Sequence, residues 1–176
     1  MDDDGDARLE RLIAEAEIRR VIARYCRGID RMDLDLVRSC YHDDAHDEHG
    51  SFSGTVDAYL EWVRPLLEKY DATMHLIGNQ LVDFDDADTA WVETYGMSVH
   101  RSASGKPHLN LSTGFRFVDR FERRDGEWRI ADRVAVPDWS LRHGPDDWWP
   151  LPEHHRRGER GRGDAVYDRE RPESPG

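Results

Sequence analysis

The spacing of the hydrophobic residues changes near residue 70, and this change limits the folds that the chain can adopt. Before it, apolar residues recur every three or four positions, which is typical of amphipathic helices. From Thr73 onward they largely alternate with polar residues, which indicates strands. A chain with helices first and strands second is expected to pack its helices on one face of a mostly antiparallel sheet, so the sequence predicts an α+β fold.

Three helices are predicted before residue 70. The apolar stripe of the first helix consists of Ile18, Val21, Ile22, Tyr25, Cys26 and Ile29. Asp33 is expected to cap a short second helix and Thr55 a third one, because their side-chain oxygens can accept from the free N–H groups at a helix start. Pro65 falls inside the third helical pattern, where it predicts a kink or a break.

Four strands are predicted in the second half of the chain, at residues 73–84, 89–101, 108–123 and 128–139. The segments between them are short and turn-like, and "RDGE" is typical of a hairpin turn. The four strands are therefore expected to form an antiparallel meander.

Residues 1–139 are predicted to form one domain, and residues 140–176 a tail. The tail is rich in Pro, Gly and Arg and has too few apolar residues to form its own core. We expect it to face solvent, or to contact a neighbouring subunit in a homo-oligomer.

The charge of the chain limits the partners that it can bind. With 37 acidic and 25 basic side chains the formal net charge is −12, which argues against a nucleic-acid groove and an anionic membrane surface. No apolar run approaches the roughly 18 residues that span a bilayer. The N-terminus is acidic, unlike a secretory signal, and Cys26 and Cys40 are the only cysteines, so we expect a cytoplasmic protein.

Asp30 and His75 are candidates for acid–base chemistry. Asp30 falls near the end of the first helix, and His75 lies at the start of the first strand of the meander. One interpretation makes them a solvated acid and a structural histidine. The other pairs them, because an aspartate that accepts from one imidazole nitrogen fixes the tautomer and leaves the other nitrogen as a general base.

Several segments resemble the SnoaL-like branch of the nuclear transport factor 2-like superfamily. They are "EIRRVIARYCRGIDRMDLDLVRSCYHDDAHDEHGSFSG", "MHLIGNQLVDF", "DTAWVETYGMSVHR" and "DRFERRDGEWRIADRVAVPDW", and the resemblance covers about residues 9–139. It implies a cone-shaped α+β barrel whose helices close over a curved sheet and leave a deep apolar pocket. The members that the chain most resembles are bile-acid dehydratases, scytalone dehydratase and hexachlorocyclohexane dehydrochlorinase, which perform cofactor-free eliminations, typically as trimers.

The resemblance also implies catalytic residues. Asp30 matches the aspartate at the end of the first helix in the dehydrochlorinase and the bile-acid dehydratases, and His75 matches its histidine partner on the first long strand. Tyr25 takes the polar place five residues before the aspartate. Arg133 falls near the arginine of the last strand.

The chain departs from its relatives at two places. Cys26 stands where scytalone dehydratase has an acid, and Ser98 and His100 stand where bile-acid dehydratases place one. His100 would suit the role of a second histidine. The side chains predicted to contact the substrate are Tyr59, Trp62, Tyr95 and His100. For Tyr59 and Trp62, ordinary core packing is the alternative.

The stretch "YHDDAHDEHG", residues 41–50, contains three histidines and four acidic residues and raises the question of a metal site. On a strand, His46 and Glu48 share one face, and Asp47 and His49 share the other. Neither pair supplies the three or four converging ligands of a zinc or iron site, so neither a metal nor another cofactor is predicted. We expect a solvated polar rim or a subunit interface here.

These observations predict a cofactor-independent lyase that acts on a hydrophobic, polycyclic or steroid-like small molecule and forms a homotrimer. His75, oriented by Asp30, would remove a proton from carbon. Tyr25 would donate to a developing oxyanion or a departing hydroxyl, and Arg133 would stabilise negative charge at the other end of the pocket. Three alternatives stay open: an isomerase or aldol-type cyclase with the same dyad, a non-catalytic small-ligand binder or assembly subunit, and a metalloenzyme built on the His46 region.

Overall fold

The structure is a computed structural model that describes residues 3–102, 110–144, 147 and 151–168. It contains three α-helices, six strands and a short 3-10 helix near the end of the described chain. The helices are α1 (Asp3–Arg31), α2 (Leu34–Arg38) and α3 (Val56–Leu67), and the 3-10 helix is Gly161–Gly163. The strands are β1 (Tyr41–His49), β2 (Phe52–Thr55), β3 (Ala72–Phe84), β4 (Thr89–Arg101), β5 (Leu111–Arg124) and β6 (Glu127–Arg142).

Helix α1 ends in a turn that is usually built on glycine. Met32 adopts a left-handed conformation with φ 56°, and the N–H groups of Met32 and Asp33 donate to the carbonyls of Ile29 and Gly28 at 3.2 and 2.9 Å. Gly28 is required for the close approach of α2, because a Cβ atom there would lie 2.6 Å from a methyl carbon of Val37. This turn fixes the direction in which the end of α1 presents its last side chains.

The predicted helix caps at Asp33 and Thr55 are confirmed. The Asp33 carboxylate accepts from the N–H of Leu36 at 3.2 Å, and the Thr55 hydroxyl accepts from the N–H of Ala58 at 3.4 Å. Helix α3 continues through Pro65 and ends two residues later, so the proline lies in its last turn.

The sheet has the strand order β2-β1-β6-β5-β4-β3. Strands β3 to β6 form the predicted antiparallel meander, and β1 joins its last strand in parallel before turning back into β2. The α+β prediction and the four predicted strands are confirmed, except that residues 108 and 109, predicted to begin the third strand, lie outside the described residues. The hairpin of β1 and β2 extends the sheet beyond the meander.

The helices cover one face of the sheet, and the core lies between them. Ile18, Ile22 and Ile130 are fully buried there. On the other face, Met74, Leu76 and Leu81 of β3 are 60–65% exposed, so only alternate apolar residues of this strand point toward the core. None of the helices in the described part of the chain is long and apolar enough to cross a membrane.

The segment after β6 returns to the end of α1. Asp164 is buried and lies 3.2 Å from the guanidinium of Arg31, and the Tyr167 hydroxyl donates to Asp33 at 2.8 Å. Part of the predicted tail therefore packs against its own chain, whereas residues 169–176 lie outside the described residues. The domain boundary after residue 139 stays a prediction.

Candidate functional site

Asp30 and His75 form a pair with two hydrogen bonds. The imidazole Nδ1 lies 2.7 Å from Asp30 Oδ1, and the backbone N–H of His75 donates to Asp30 Oδ2 at 2.9 Å. Both side chains are largely buried, at 10% and 13% exposure. Because the carboxylate accepts from Nδ1–H, the lone pair of Nε2 is the one left for chemistry.

The pair stands at the edge of a cavity of about 230 Å³ between the helices and the inner face of the sheet. Its apolar wall includes Ile29, Val63 and Leu67, and its floor is formed by Phe115 and Phe117, whose ring centres are 4.6 Å apart. The polar side chains that line it are Tyr25, His49, Tyr59, His75, Ser98, His100 and Thr113. Gly96 makes room for this floor, since a Cβ atom on it would lie 2.4 Å from the Phe115 ring.

Tyr25 and Tyr59 share a hydrogen bond of 2.6 Å between their hydroxyl groups. Both are fully buried, and burial raises the pKa of each phenol well above its ordinary value of 10. Both hydroxyls therefore keep their protons at neutral pH. Since one of them donates to the other, one O–H remains free to donate into the cavity.

His100 also lines the cavity, with its ring centre 6.1 Å from that of His75. Burial lowers the pKa of His100 from 6.5 to about 4, and the neighbouring His75 contributes to this shift. His100 is therefore a neutral imidazole at pH 7. Ser98, two residues earlier on the same strand, is buried and also lines the cavity.

The predicted alternation of β1 is confirmed, but the expected solvated rim or subunit interface describes only one of its two faces. His46 and Glu48 are exposed, whereas Asp47 is fully buried and His49 lines the cavity. The alternation places His49 on the same face as Asp47, but it does not indicate which face of the strand lies against α3. Within the described part of the chain, no three His, Cys, Asp or Glu side chains converge as a metal ion would require.

Arg133 lies beneath the cavity rather than in its lining. Its guanidinium makes two hydrogen bonds of 2.7 Å to Asp119 and one of 3.3 Å to the Tyr41 hydroxyl, and both members of the ion pair have no exposed side-chain surface. Its central carbon lies 3.9 Å from the Phe117 ring centre and 4.3 Å from that of Tyr25. Burial lowers the pKa of Arg133, but Asp119 together with Tyr41 and Tyr25 outweighs burial, so that this pKa lies well above its ordinary value.

Two predicted substrate contacts lie outside the cavity lining. Tyr95 is 45% exposed on the outer face of β4, where Arg116 lies over its ring. Trp62 packs beside Phe52, with ring centres 5.4 Å apart, and forms part of the core behind the cavity. Of the predicted site residues, Tyr25, Tyr59, His75 and His100 line the cavity and Asp30 binds His75. Tyr95, Trp62 and Arg133 do not line it.

Arg160 is a residue near the dyad that sequence patterns gave no reason to select. All three nitrogens of its guanidinium are buried and have no hydrogen-bond partner among the described residues. Burial lowers the pKa of Arg160, while the charges of Asp30 and Asp71 oppose that shift. The segment after β6 therefore places a desolvated cation close to the Asp30–His75 pair.

Residues 10–134 match the SnoaL-like domain family, so the chain belongs to that family, as its sequence resemblance predicted. The match covers both Asp30 and His75 and ends just after Arg133. No curated protein sequence matches the chain.

Solved structures of low sequence identity share the fold. A hexachlorocyclohexane dehydrochlorinase, LinA type 2, is 19% identical over 84% of this chain and 99% of its own, with a TM-score of 0.72. A Novosphingobium aromaticivorans protein provisionally assigned as a scytalone dehydratase is 19% identical over 89% of this chain and 97% of its own, with a TM-score of 0.69. Rv3472 from Mycobacterium tuberculosis, of unknown function, is 25% identical over 73% of this chain and 74% of its own, with a TM-score of 0.64.

The two buried arginines should differ in how much stability is lost with their charge. Arg133→Met leaves Asp119 buried without its partner and is expected to lower the free energy of unfolding by about 3–5 kcal/mol. Arg160→Met removes three nitrogens that have no partner and is expected to change it by less than about 1 kcal/mol in either direction. Urea unfolding of both variants measures the difference. An equal loss in both would mean that the Arg160 guanidinium has an unrecognised partner.

His100 should make stability depend on pH. Its pKa is lowered from 6.5 to about 4 in the folded state, so between these values the unfolded chain binds the additional proton. The contribution of His100 to the free energy of unfolding is therefore complete above pH 6.5 and is lost as the pH falls toward 4. The full loss amounts to about 3 kcal/mol. Urea unfolding from pH 7 to pH 4 should show a flatter curve for His100→Gln than for wild type. Parallel curves would contradict the buried, neutral state of His100.

Proposed function

We propose that the chain is a cofactor-independent lyase that performs a dehydratase-type elimination on a hydrophobic small molecule. The observation that carries this proposal is the doubly hydrogen-bonded Asp30–His75 pair beside an apolar cavity. A non-catalytic binder has no need of an imidazole whose tautomer is fixed by a buried carboxylate.

In this mechanism His75 is the general base. With Nδ1–H donated to Asp30, its Nε2 atom takes a proton from a carbon next to a carbonyl or a leaving group. Asp30 also stabilises the imidazolium that forms. A positioned base of this kind typically contributes about 10²–10⁴-fold to the rate.

The Tyr25–Tyr59 pair supplies a hydrogen-bond donor for the negative charge that develops on the substrate. One hydroxyl orients the other at 2.6 Å, and burial keeps both protonated. Preorganised donors of this kind, in a site without bulk water, contribute strongly to catalysis. In this proposal Arg133 supports the ring of Tyr25 from below instead of contacting the substrate.

The volume of the cavity limits how much of the substrate can lie inside it. A cavity of about 150 Å³ holds benzene, so about 230 Å³ holds one substituted ring. A polycyclic or steroid-like substrate would place its reacting ring inside and its remaining rings at the mouth. We therefore propose a substrate whose reactive part is a single ring.

Two structural relatives support an elimination, because one is named a dehydrochlorinase and another is assigned as a dehydratase. The same base and hydroxyl donor would also serve an isomerase or an aldol-type cyclase, since both begin with proton removal from carbon. Loss of water from the substrate, detected by mass spectrometry, separates an elimination from those reactions.

The homotrimer also stays a proposal, which the exposed apolar side chains of Met74, Leu76 and Leu81 support.

The base can be tested before the natural substrate is known, with 5-nitrobenzisoxazole as a probe of proton abstraction from carbon. Removal of its ring C–H proton breaks the N–O bond and releases a coloured phenolate. His75→Ala is expected to lower kcat/KM by about 10²–10⁴-fold, and Asp30→Asn by about tenfold or more, because each removes part of the oriented base. Absorbance of the phenolate measures both.

His46→Ala and Asp35→Asn are the matched controls, because both side chains are exposed and neither lines the cavity. They should stay within twofold of wild type, and urea unfolding should show that all four variants are folded. Wild-type turnover in folded His75→Ala would remove the basis of the proposal.

A further inference from the structure

A second histidine and carboxylate meet at the other end of the cavity. His49 Nδ1 lies 3.4 Å from Asp47 Oδ1, and both atoms are buried without a hydrogen-bond partner among the described residues. Asp47 has no exposed surface, whereas His49 lines the cavity. A buried carboxylate oxygen without a donor is costly, and the nearby N–H of His49 is the group that can satisfy it.

Both partners are held in place. Asp47 Oδ2 accepts from the Tyr41 hydroxyl at 2.7 Å, and Tyr41 in turn accepts from Arg133 at 3.3 Å, so the carboxylate is anchored on one side. The His49 ring stacks on Tyr59, with ring centres 5.2 Å apart and planes inclined by 27°. A shift of well under 1 Å would bring Nδ1–H to the usual distance of about 2.9 Å from Oδ1.

His49 and His75 stand at opposite ends of the phenylalanine floor. The His75 ring centre lies 5.9 Å from that of Phe115, and the His49 ring centre lies 6.2 Å from that of Phe117. Their strands are four steps apart in the sheet, about 19 Å if the sheet were flat. Because both rings line one small cavity, the sheet must curve enough to bring them closer together than this.

We propose that His49, positioned by Asp47, is the proton donor of the reaction in which His75 is the base. This inference rests on the proposed function. His75 takes the proton from carbon, the C–H electron pair becomes the new π bond, and the bond to the leaving oxygen breaks. His49, which starts with protons on both ring nitrogens so that Nδ1–H faces Asp47, then gives its Nε2 proton to that oxygen, and water departs. Proton exchange with solvent returns both histidines to their starting states.

A proton donor at this position narrows the substrate class. Halide ions leave without protonation, whereas hydroxide and alkoxide are poor leaving groups that need a proton as the bond breaks. A cavity with a base at one end and an acid at the other is therefore suited to loss of a hydroxyl or alkoxyl group. In this account the chain catalyses dehydration of a hydroxylated ring in preference to dehydrohalogenation.

The test compares two probes with different leaving groups. Benzisoxazole and its 5-nitro derivative undergo the same elimination, but the nitro group stabilises the departing phenolate and lessens its need for a proton. His49→Gln should lower kcat/KM at least tenfold for benzisoxazole and less than about threefold for the nitro compound. Asp47→Asn should show the same selective loss, because it weakens the positioning of His49 without changing the shape of the side chain.

His46→Gln is the matched control, since His46 lies on the exposed face of the same strand, and it should match wild type on both probes. An equal change for the two probes in His49→Gln, whether small or large, would overturn the donor role, because a structural loss does not depend on the leaving group. Failure of the proposed function would give a different result from failure of this donor role: His75→Ala would then turn over the nitro compound at the wild-type rate.

Discussion

The two hydrogen bonds from Asp30 to His75 join the end of α1 to the first strand of the meander. One is made by the imidazole ring and the other by the backbone N–H, so a single carboxylate fixes both the position of the strand and the orientation of the ring. Asp30 lies in the last turn of a helix, where the helix dipole disfavours a negative charge. The two donors offset this unfavourable placement, and the geometry of the site therefore depends on them.

The polar groups of the site lie above a second, fully buried layer. Arg133 and Asp119 form an ion pair there, and the guanidinium supports the rings of Tyr25 and Phe117 from below. Tyr41 extends the layer from Arg133 to the carboxylate beside His49. Removing Arg133 or Asp119 leaves the other as a buried unpaired charge, and none of the three residues of this layer lines the cavity.

Much of this arrangement follows from local patterns in the sequence, and the remainder depends on tertiary contacts. Side-chain oxygens of Asp33 and Thr55 predicted the helix starts, because capping depends only on neighbouring residues. Strand alternation paired Asp47 with His49 correctly, but which face points inward depends on where α3 packs. The same limit applies to Tyr95, which the sequence predicts in the pocket and which lies on the outer face of the sheet. Arg160 comes from a segment without periodicity, so no pattern could place it near the dyad.

The tautomer of His75 is the most direct test of the account. Two-bond hydrogen–nitrogen correlation spectra of protein labelled with 15N-histidine distinguish a neutral imidazole protonated at Nδ1 from one protonated at Nε2. The His75 signals can be assigned by their absence in His75→Gln. We predict a proton on Nδ1, donated to Asp30, and a free lone pair on Nε2. A proton on Nε2 of the neutral ring would contradict it, because that nitrogen could not then accept hydrogen from carbon.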